Sequence, residues 1–321
     1  MDVSLVVPHH VTDIVNLEDA VAVHRAIREI LERRYPGSDF AILDQVFEDV
    51  RRLFAGEMAG FQACDTKYHD LRHTLDIALA MARLIDGHDR ASSAAADALG
   101  PERALIGIIA ALFHDSGYIL ENHDQGRESG AEYTLIHVSR SARVLARYLP
   151  GVGLGQHVAR ATRLVHFTGY EIPVDRLELP DPLDRRLGCM LGSADLIGQM
   201  ADRIYLEKCR DFLYEEFVLA GIAKRENVDG SVEINYSSAV DLLAKTPGFY
   251  ENVAKKRLDG LFGGLHEIVA THFGGANPYR DRIERNIAFL KEVLARGDFD
   301  RLRRKSVTLS LEKDPRRRSD R

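Results

Sequence analysis

The sequence predicts an all-α fold, and three observations carry that prediction. Apolar residues recur at helical spacing through most of the chain, no alternating strand pattern is sustained, and Pro and Gly punctuate the periodic segments. From 17 to 35, Val21, Val23, Ile27, Ile30 and Leu31 lie close to one stripe, which Pro36-Gly37 ends. A second amphipathic helix runs from 40 to 54 and stops near Gly56. A third, 68–85, carries His69 and His73, whose spacing of four puts both on one helical face. The Ala/Ser-rich stretch 91–99 is a loop or a weak helix, and Gly100-Pro101 opens the next helix, with Pro where its missing N–H costs nothing.

Residues 103–114 are nearly all apolar, and their length and Ala content favour a buried central helix over a strand. The polar stretch 116–130 reads as a loop, 131–148 as a helix ended by Pro150-Gly151, and 158–167 as a short helix. Pro173, Pro180 and Pro182 require 171–182 to be extended. Helices follow over 183–205, containing Asp195, and 206–222; Asp229-Gly230 is a turn signal. Further helices span 239–243, 250–271 and 279–296 around breaks at Thr246-Pro247-Gly248 and Gly274-Gly275. The expected organisation is an N-terminal extension 1–16, one helical domain 17–297, and a charged, disordered tail 298–321. The segment 228–248 is read as shaping a pocket or making a homodimer contact.

Bulk properties narrow the function classes. A chain of 321 residues can bury a sizeable core. Its net charge of −6 argues against a nucleic-acid surface, which needs a basic excess, while leaving room for a small phosphorylated substrate in a local basic pocket. Cys64, Cys189 and Cys209 form no Cys-x-x-Cys pair, so a zinc ribbon or redox motif is not expected and a reducing compartment is. The opening residues lack a signal-peptide pattern, and no apolar run approaches the ~18–20 residues that span a bilayer. The expectation is a cytoplasmic protein with no membrane contact.

Thirteen histidines raise the question of which converge. A lone helical His is more often a satisfied core or surface residue than a ligand. Here His69, His73, the adjacent His114-Asp115 pair that ends the greasiest run, His137, His157, His166 and Asp195 lie on or at the ends of the apolar helices, and four helices each deliver a ligand-type residue at or beside an apolar stripe. A bundle brings such residues to one interior point. Imidazole with carboxylate suits Fe, Mn, Zn, Ni or Co.

The order His73, then His114-Asp115, then Asp195 resembles the H…HD…D motif of the HD superfamily of metal-dependent phosphohydrolases. The likeness spans about 68–202, the expected metal-site core, with C-terminal helices over 203–297. Within it, Tyr68-His69-Asp70-x-x-His73-Thr74-x-Asp76 is similar to the Tyr-His-Asn-x-x-His-Ala-x-Asp signature of class I cyclic-nucleotide phosphodiesterases, with Asp70 in place of Asn. That family's His-Asp-x-x-His-Pro-Gly is not matched, since Tyr118 replaces the second His. Dinuclear relatives follow H…HD…H…H…D, and His137 and His166 fit the two intermediate places.

The resemblance implies an HD-domain helical bundle with extra N- and C-terminal helices. It implies two divalent metal ions (Fe, Mn, Mg, Zn, Ni or Co) held by His73, His114, Asp115, His137, His166 and Asp195, with Asp115 bridging them and a hydroxide between. His69 is then the general acid for the leaving oxygen, and Asp76 an orienting partner. Arg140, one helical step from His137, is the expected phosphate donor. The implied activity is hydrolysis of a nucleotide or cyclic-nucleotide phosphoester. The alternatives are a di-iron HD-domain oxygenase and a non-catalytic HD signalling module.

Overall fold

The computed structural model describes residues 15–226, 229 and 231–304. Within them the fold is all-α. In chain order the helices are α1 (Ala20–Arg34), α2 (Ile42–Phe54), α3 (Leu71–Ala91), α4 (Gly100–Phe113), α5 (His137–Gly151) and α6 (Val158–Val165). They continue as α7 (Pro182–Ala201), α8 (Tyr205–Lys208), α9 (Tyr214–Leu219), α10 (Ala239–Phe249), α11 (Val269–His272) and α12 (Pro278–Arg296). No helix among the described residues is long and apolar enough to cross a membrane.

Helix α3 is the axis of the bundle. Every residue from Leu71 to His88 is buried, under α1, α4, α7 and α11. A helix covered on all sides is expected to be apolar nearly all round; α4 is, whereas α3 also buries Arg72, His73, Thr74, Asp76, Arg83, Asp86 and His88. Around them the buried apolar side chains form one contiguous core running from Leu17 to Leu302. The close approach of α7 to α3 depends on Gly198, where an added Cβ would stand 2.5 Å from Ile77 Cδ1. That approach sets Asp195 of α7 opposite His73 of α3.

Several boundaries differ from the sequence expectation, each for a local reason. Helix α3 begins at Leu71, not Tyr68, because the Asp70 side chain accepts the His73 N–H at 2.8 Å and caps the helix. His69 therefore precedes the helix rather than sharing its face with His73. The stretch 116–130 is a loop as expected, yet Ser116 to Leu120 are buried beneath α5. Gly117 permits this: a Cβ there would lie 1.9 Å from the His137 carbonyl oxygen.

The helix expected over 206–222 is broken by a π turn, Cys209–Leu213, between α8 and α9. In a regular α-helix each step of four residues rotates about 40° further round the axis, and the wider turn reduces that drift. Tyr205, Cys209, Leu213 and Phe217 thus keep to one face. A two-stranded hairpin, β1 (Lys224–Glu226) and β2 (Val232–Ile234), follows, with Arg225 opposite Glu233. Three residues per strand are too few for an alternating signal. The break expected at Pro247 is absent: α10 runs through it to Phe249 and passes into a π turn, Tyr250–Ala254. Part of the expected tail is ordered, since Leu302 is buried and its carbonyl accepts from Arg210 at 2.9 Å. Residues 305–321, and 1–14 of the expected extension, lie outside the described residues.

Candidate active site

Three elements deliver ligand-type atoms to one buried point. His73 comes from the first turn of α3, His114 and Asp115 from the end of α4, and Asp195 from the middle of α7. Ligand atoms of His73, His114 and Asp195 all lie within 4.8 Å of one another. Asp115 Oδ2 sits between the two rings, 3.2 Å from His73 Nε2 and 3.1 Å from His114 Nε2. Its other oxygen, Oδ1, is 3.6 Å from His137 Nε2. His137 opens α5, and its Nδ1 lies 2.6 Å from the Thr134 carbonyl. That contact assigns the Nδ1 proton and turns the Nε2 lone pair inward.

This donor set fits a divalent cation. His114 Nδ1 faces the Ala111 carbonyl at 2.8 Å, which leaves its Nε2 to point at carboxylate oxygens. His114 Nε2 and Asp115 Oδ2 are both buried and lack a hydrogen-bond partner. Buried acceptors facing one another are costly unless a proton or cation stands between them. Burial pushes His73 down to about 3, so its ring is a neutral ligand, and pushes Asp195 up to about 6. Burial also disfavours charge on His114, yet Asp115 and Asp195 outweigh it and raise that ring to about 9. A cation entering here displaces that proton.

His69 is held beside the ligands by a partner that the sequence did not announce. Its Nδ1 lies 2.6 Å from Glu216 Oε2, while Glu216 Oε1 accepts the Tyr68 backbone N–H at 2.7 Å. Glu216 is buried in α9, 147 residues along the chain, within a stretch that reads as an ordinary charged helix. Burial opposes charge on His69, but Glu216, with Asp115 and Asp195 behind it, raises the ring above its ordinary value. Tyr118 stacks between His69, at a centroid distance of 4.3 Å, and His137, at 4.4 Å. The residue that replaces the second His of the phosphodiesterase pattern thus spaces the two imidazoles.

Two expected site residues are placed elsewhere. Arg140 does not face the ligands; this corrects its expected role as a phosphate donor. Its Nε donates to the Gly117 carbonyl at 2.8 Å, and Nη2 donates to the Ile119 carbonyl at 3.2 Å and to Asp124 at 2.6 Å. The guanidinium is also stacked on Tyr133, 3.6 Å from the ring centroid. It pins the loop that follows Asp115. His166 is half-buried at the end of α6, where Glu171 is the charge acting on it. It falls outside the grouped ligands, as does His137; among the described residues that group is His73, His114 and Asp195.

A cavity of about 340 Å³ opens on this group, with His69, Asp115, His137 and Asp195 at its floor. Gln199 joins the floor, accepting from the Tyr68 hydroxyl at 3.0 Å and donating to Asp195 at 3.2 Å. The walls come from the π-turn face of α8–α9, from the residues beside the hairpin, and from α10. The segment 228–248 is therefore in part a pocket wall, through Tyr236, Leu242 and Lys245. No family model matches the chain, and no curated protein matches it.

Proposed function

We propose that the chain is a metal-dependent phosphoester hydrolase of the HD type, acting on a phosphodiester. The observation that carries this reading is the His69–Glu216 pair set beside the His73, His114 and Asp195 group and its neighbour Asp115, with His69, Asp115 and Asp195 at the floor of one cavity. His73, His114 and Asp195 would hold a divalent ion, with Asp115 beside them. When bound, such an ion supplies a Lewis acid for phosphoryl oxygens and an activated water at neutral pH.

The residues of the chain supply the rest. Hydrolysis forms a bond from a water oxygen to phosphorus and breaks the bond from phosphorus to the leaving alcohol, whose oxygen needs a proton. Glu216 fixes the His69 ring through Nδ1 and favours its protonated form, which leaves Nε2–H as the donor. The water's proton passes to solvent, and His69 is reprotonated from there. Tyr118 holds the ring in plane, and Arg140 holds the loop that carries Tyr118. An oxygenase built on the same ligands has no use for this proton donor. The HD-type reading rests on the motif and on this geometry.

The test compares leaving groups. His69→Ala and Glu216→Gln should keep the bound ion and still hydrolyse bis(4-nitrophenyl) phosphate, whose leaving group needs no proton. On a dialkyl phosphodiester both should lose about 100-fold or more in kcat. Equal losses on both substrates would remove the general-acid role, and absence of turnover by the parent protein with Mn²⁺, Fe²⁺, Co²⁺ or Mg²⁺ on either substrate would remove the hydrolase reading.

A further inference from the structure

The cavity above the ligands is built unlike a nucleoside site. Its outer wall is formed by Leu213, Phe217, Ile222, Tyr236 and Phe249, all half-buried, with Leu242 behind them. Several of the polar side chains around them are already committed. The hydroxyls of Thr134, Thr168 and Thr246 donate to the backbone carbonyls of Ala131, Val165 and Leu242 at 2.6, 2.8 and 2.9 Å. The Gln199 amide is held at both ends, by Tyr68 and Asp195. Lys245 donates to the Asn235 carbonyl at 2.6 Å and to Asp241 at 3.0 Å. Arg257, behind Tyr170, donates to the carbonyls of Phe167 and Gly169.

A sugar and base are recognised by a fan of free donors and acceptors, and leaving such groups unpaired costs affinity. This wall offers few of them, and it offers no uncommitted cation for a second or third phosphate. It offers apolar surface, which continues outward. Leu135 and Tyr170, which line the cavity, are themselves exposed, and so are Val218, Leu219, Val232, Ile234 and Val240 on the segments next to its lining residues Phe217, Tyr236 and Leu242.

We infer that the substrate is an amphiphilic phosphodiester: one phosphate set at the polar floor, and an unfunctionalised aliphatic or aryl alcohol lying along the wall of Leu213, Phe217 and Phe249. The inference rests on the hydrolase reading and names its substrate class, in place of the nucleotide that the sequence signature suggests. Attack by water on phosphorus releases one alcohol and leaves the phosphomonoester of the other, whichever of the two occupies the wall.

The full-length protein carrying its metal is assayed on methyl, butyl and octyl 4-nitrophenyl phosphodiesters and on thymidine 5′-(4-nitrophenyl) phosphate. Burial of each methylene is worth about fourfold in binding, so kcat/KM should rise by at least about 100-fold from the methyl to the octyl ester. The thymidine ester should stay near the methyl one. In Leu213→Asn, and independently in Phe249→Ser, the octyl-to-methyl ratio should collapse toward one. Because this is a ratio within each variant, a partial folding defect cancels from it. A flat response to chain length, or a thymidine ester faster than the octyl one, overturns the amphiphile while leaving hydrolysis standing. No nitrophenolate from any ester overturns both. Assaying the octyl ester free in solution and in phosphatidylcholine vesicles tells whether the amphiphile is drawn from water or from a lipid surface.

Discussion

The two ends of α3 both bury histidines and aspartates, and they treat them in opposite ways. At the C-terminal end, Asp86 accepts from Arg34 Nε at 2.9 Å and lies 2.7 Å from His272 Nδ1. Asp89 accepts from the Tyr35 hydroxyl at 2.7 Å and from the backbone N–H groups of Leu99 and Gly100 at 2.9 and 3.1 Å. Burial would raise both carboxyls, but these bonds outweigh it and hold them below the usual carboxylate range. At the N-terminal end, His73 meets Asp115, His114 and Asp195, and the buried His114 Nε2 and Asp115 Oδ2 are without a hydrogen-bond partner. The same residue types thus tie α1 and α11 to the bundle at one end and, on the proposed reading, would hold a cation at the other. The difference lies in whether each acceptor meets a donor.

The largest effect expected from this contrast separates stability from metal binding. Asp86→Ala leaves Arg34 and His272 without their shared partner and should cost about 3 kcal/mol or more in denaturant unfolding, with bound metal unchanged. Asp115→Ala should abolish bound metal and hydrolysis, while the chelated protein unfolds close to the chelated parent. If Asp115→Ala destabilised the chelated protein as much as Asp86→Ala, the two ends would not differ in kind.

Arg140 sharpens the same contrast beside the site. Its removal takes the charge partner from the half-buried Asp124, so Arg140→Ala should cost about 1–3 kcal/mol without raising KM for a phosphodiester. An unchanged stability with a raised KM would return Arg140 to phosphate binding. The pH dependence follows from the same pair. Burial pushes the Asp124 carboxyl up, but Arg140 outweighs it and draws it down to about 2, from an ordinary 3.8. A depressed folded-state value contributes stability that is present above about pH 4 and is lost as the pH falls toward 2. Asp124→Asn should therefore lower stability at pH 6 and flatten its decline between pH 4 and 2, measured by thermal unfolding.

The smallest effect concerns spacing. A methyl added at Gly198 meets the end of the Ile77 side chain, which can turn aside. Gly198→Ala should cost about 1–2 kcal/mol and weaken metal binding severalfold, by moving Asp195 away from His73. Unchanged affinity in a metal titration would show that α7 does not set the ligand spacing.

The fold and the ligand group were legible in the sequence because both depend on local pattern. The helical periods of α3 and α4 were visible, and His73, His114 and Asp195 stood at or beside apolar stripes, so their convergence followed from packing those stripes together. What was not legible depends on contacts distant in sequence. Glu216 looked like one more charge on a polar helix face, and only the fold brings it to His69. Asp70 is a capping residue type, but the helical pattern runs on past it toward Tyr68, and that pattern puts His69 on a helix that it precedes. Arg140 is near His137 in sequence, but its direction is set by the carbonyls of Gly117 and Ile119, in the buried first part of a loop that reads only as polar. The π turn that aligns Tyr205, Cys209, Leu213 and Phe217 has no compositional signal.

The central claim is that the buried acceptors around His73 hold a divalent ion that hydrolysis requires. The most direct measurement is elemental analysis of the purified full-length chain beside its His73→Ala and Asp195→Ala variants, with bis(4-nitrophenyl) phosphate turnover measured on the same samples. The account predicts a stoichiometric transition metal or, after reloading, Mn²⁺ in the parent, and loss of both metal and turnover in each variant. Turnover that persists in a variant without metal, or a parent that cannot be loaded with any divalent ion, would contradict it.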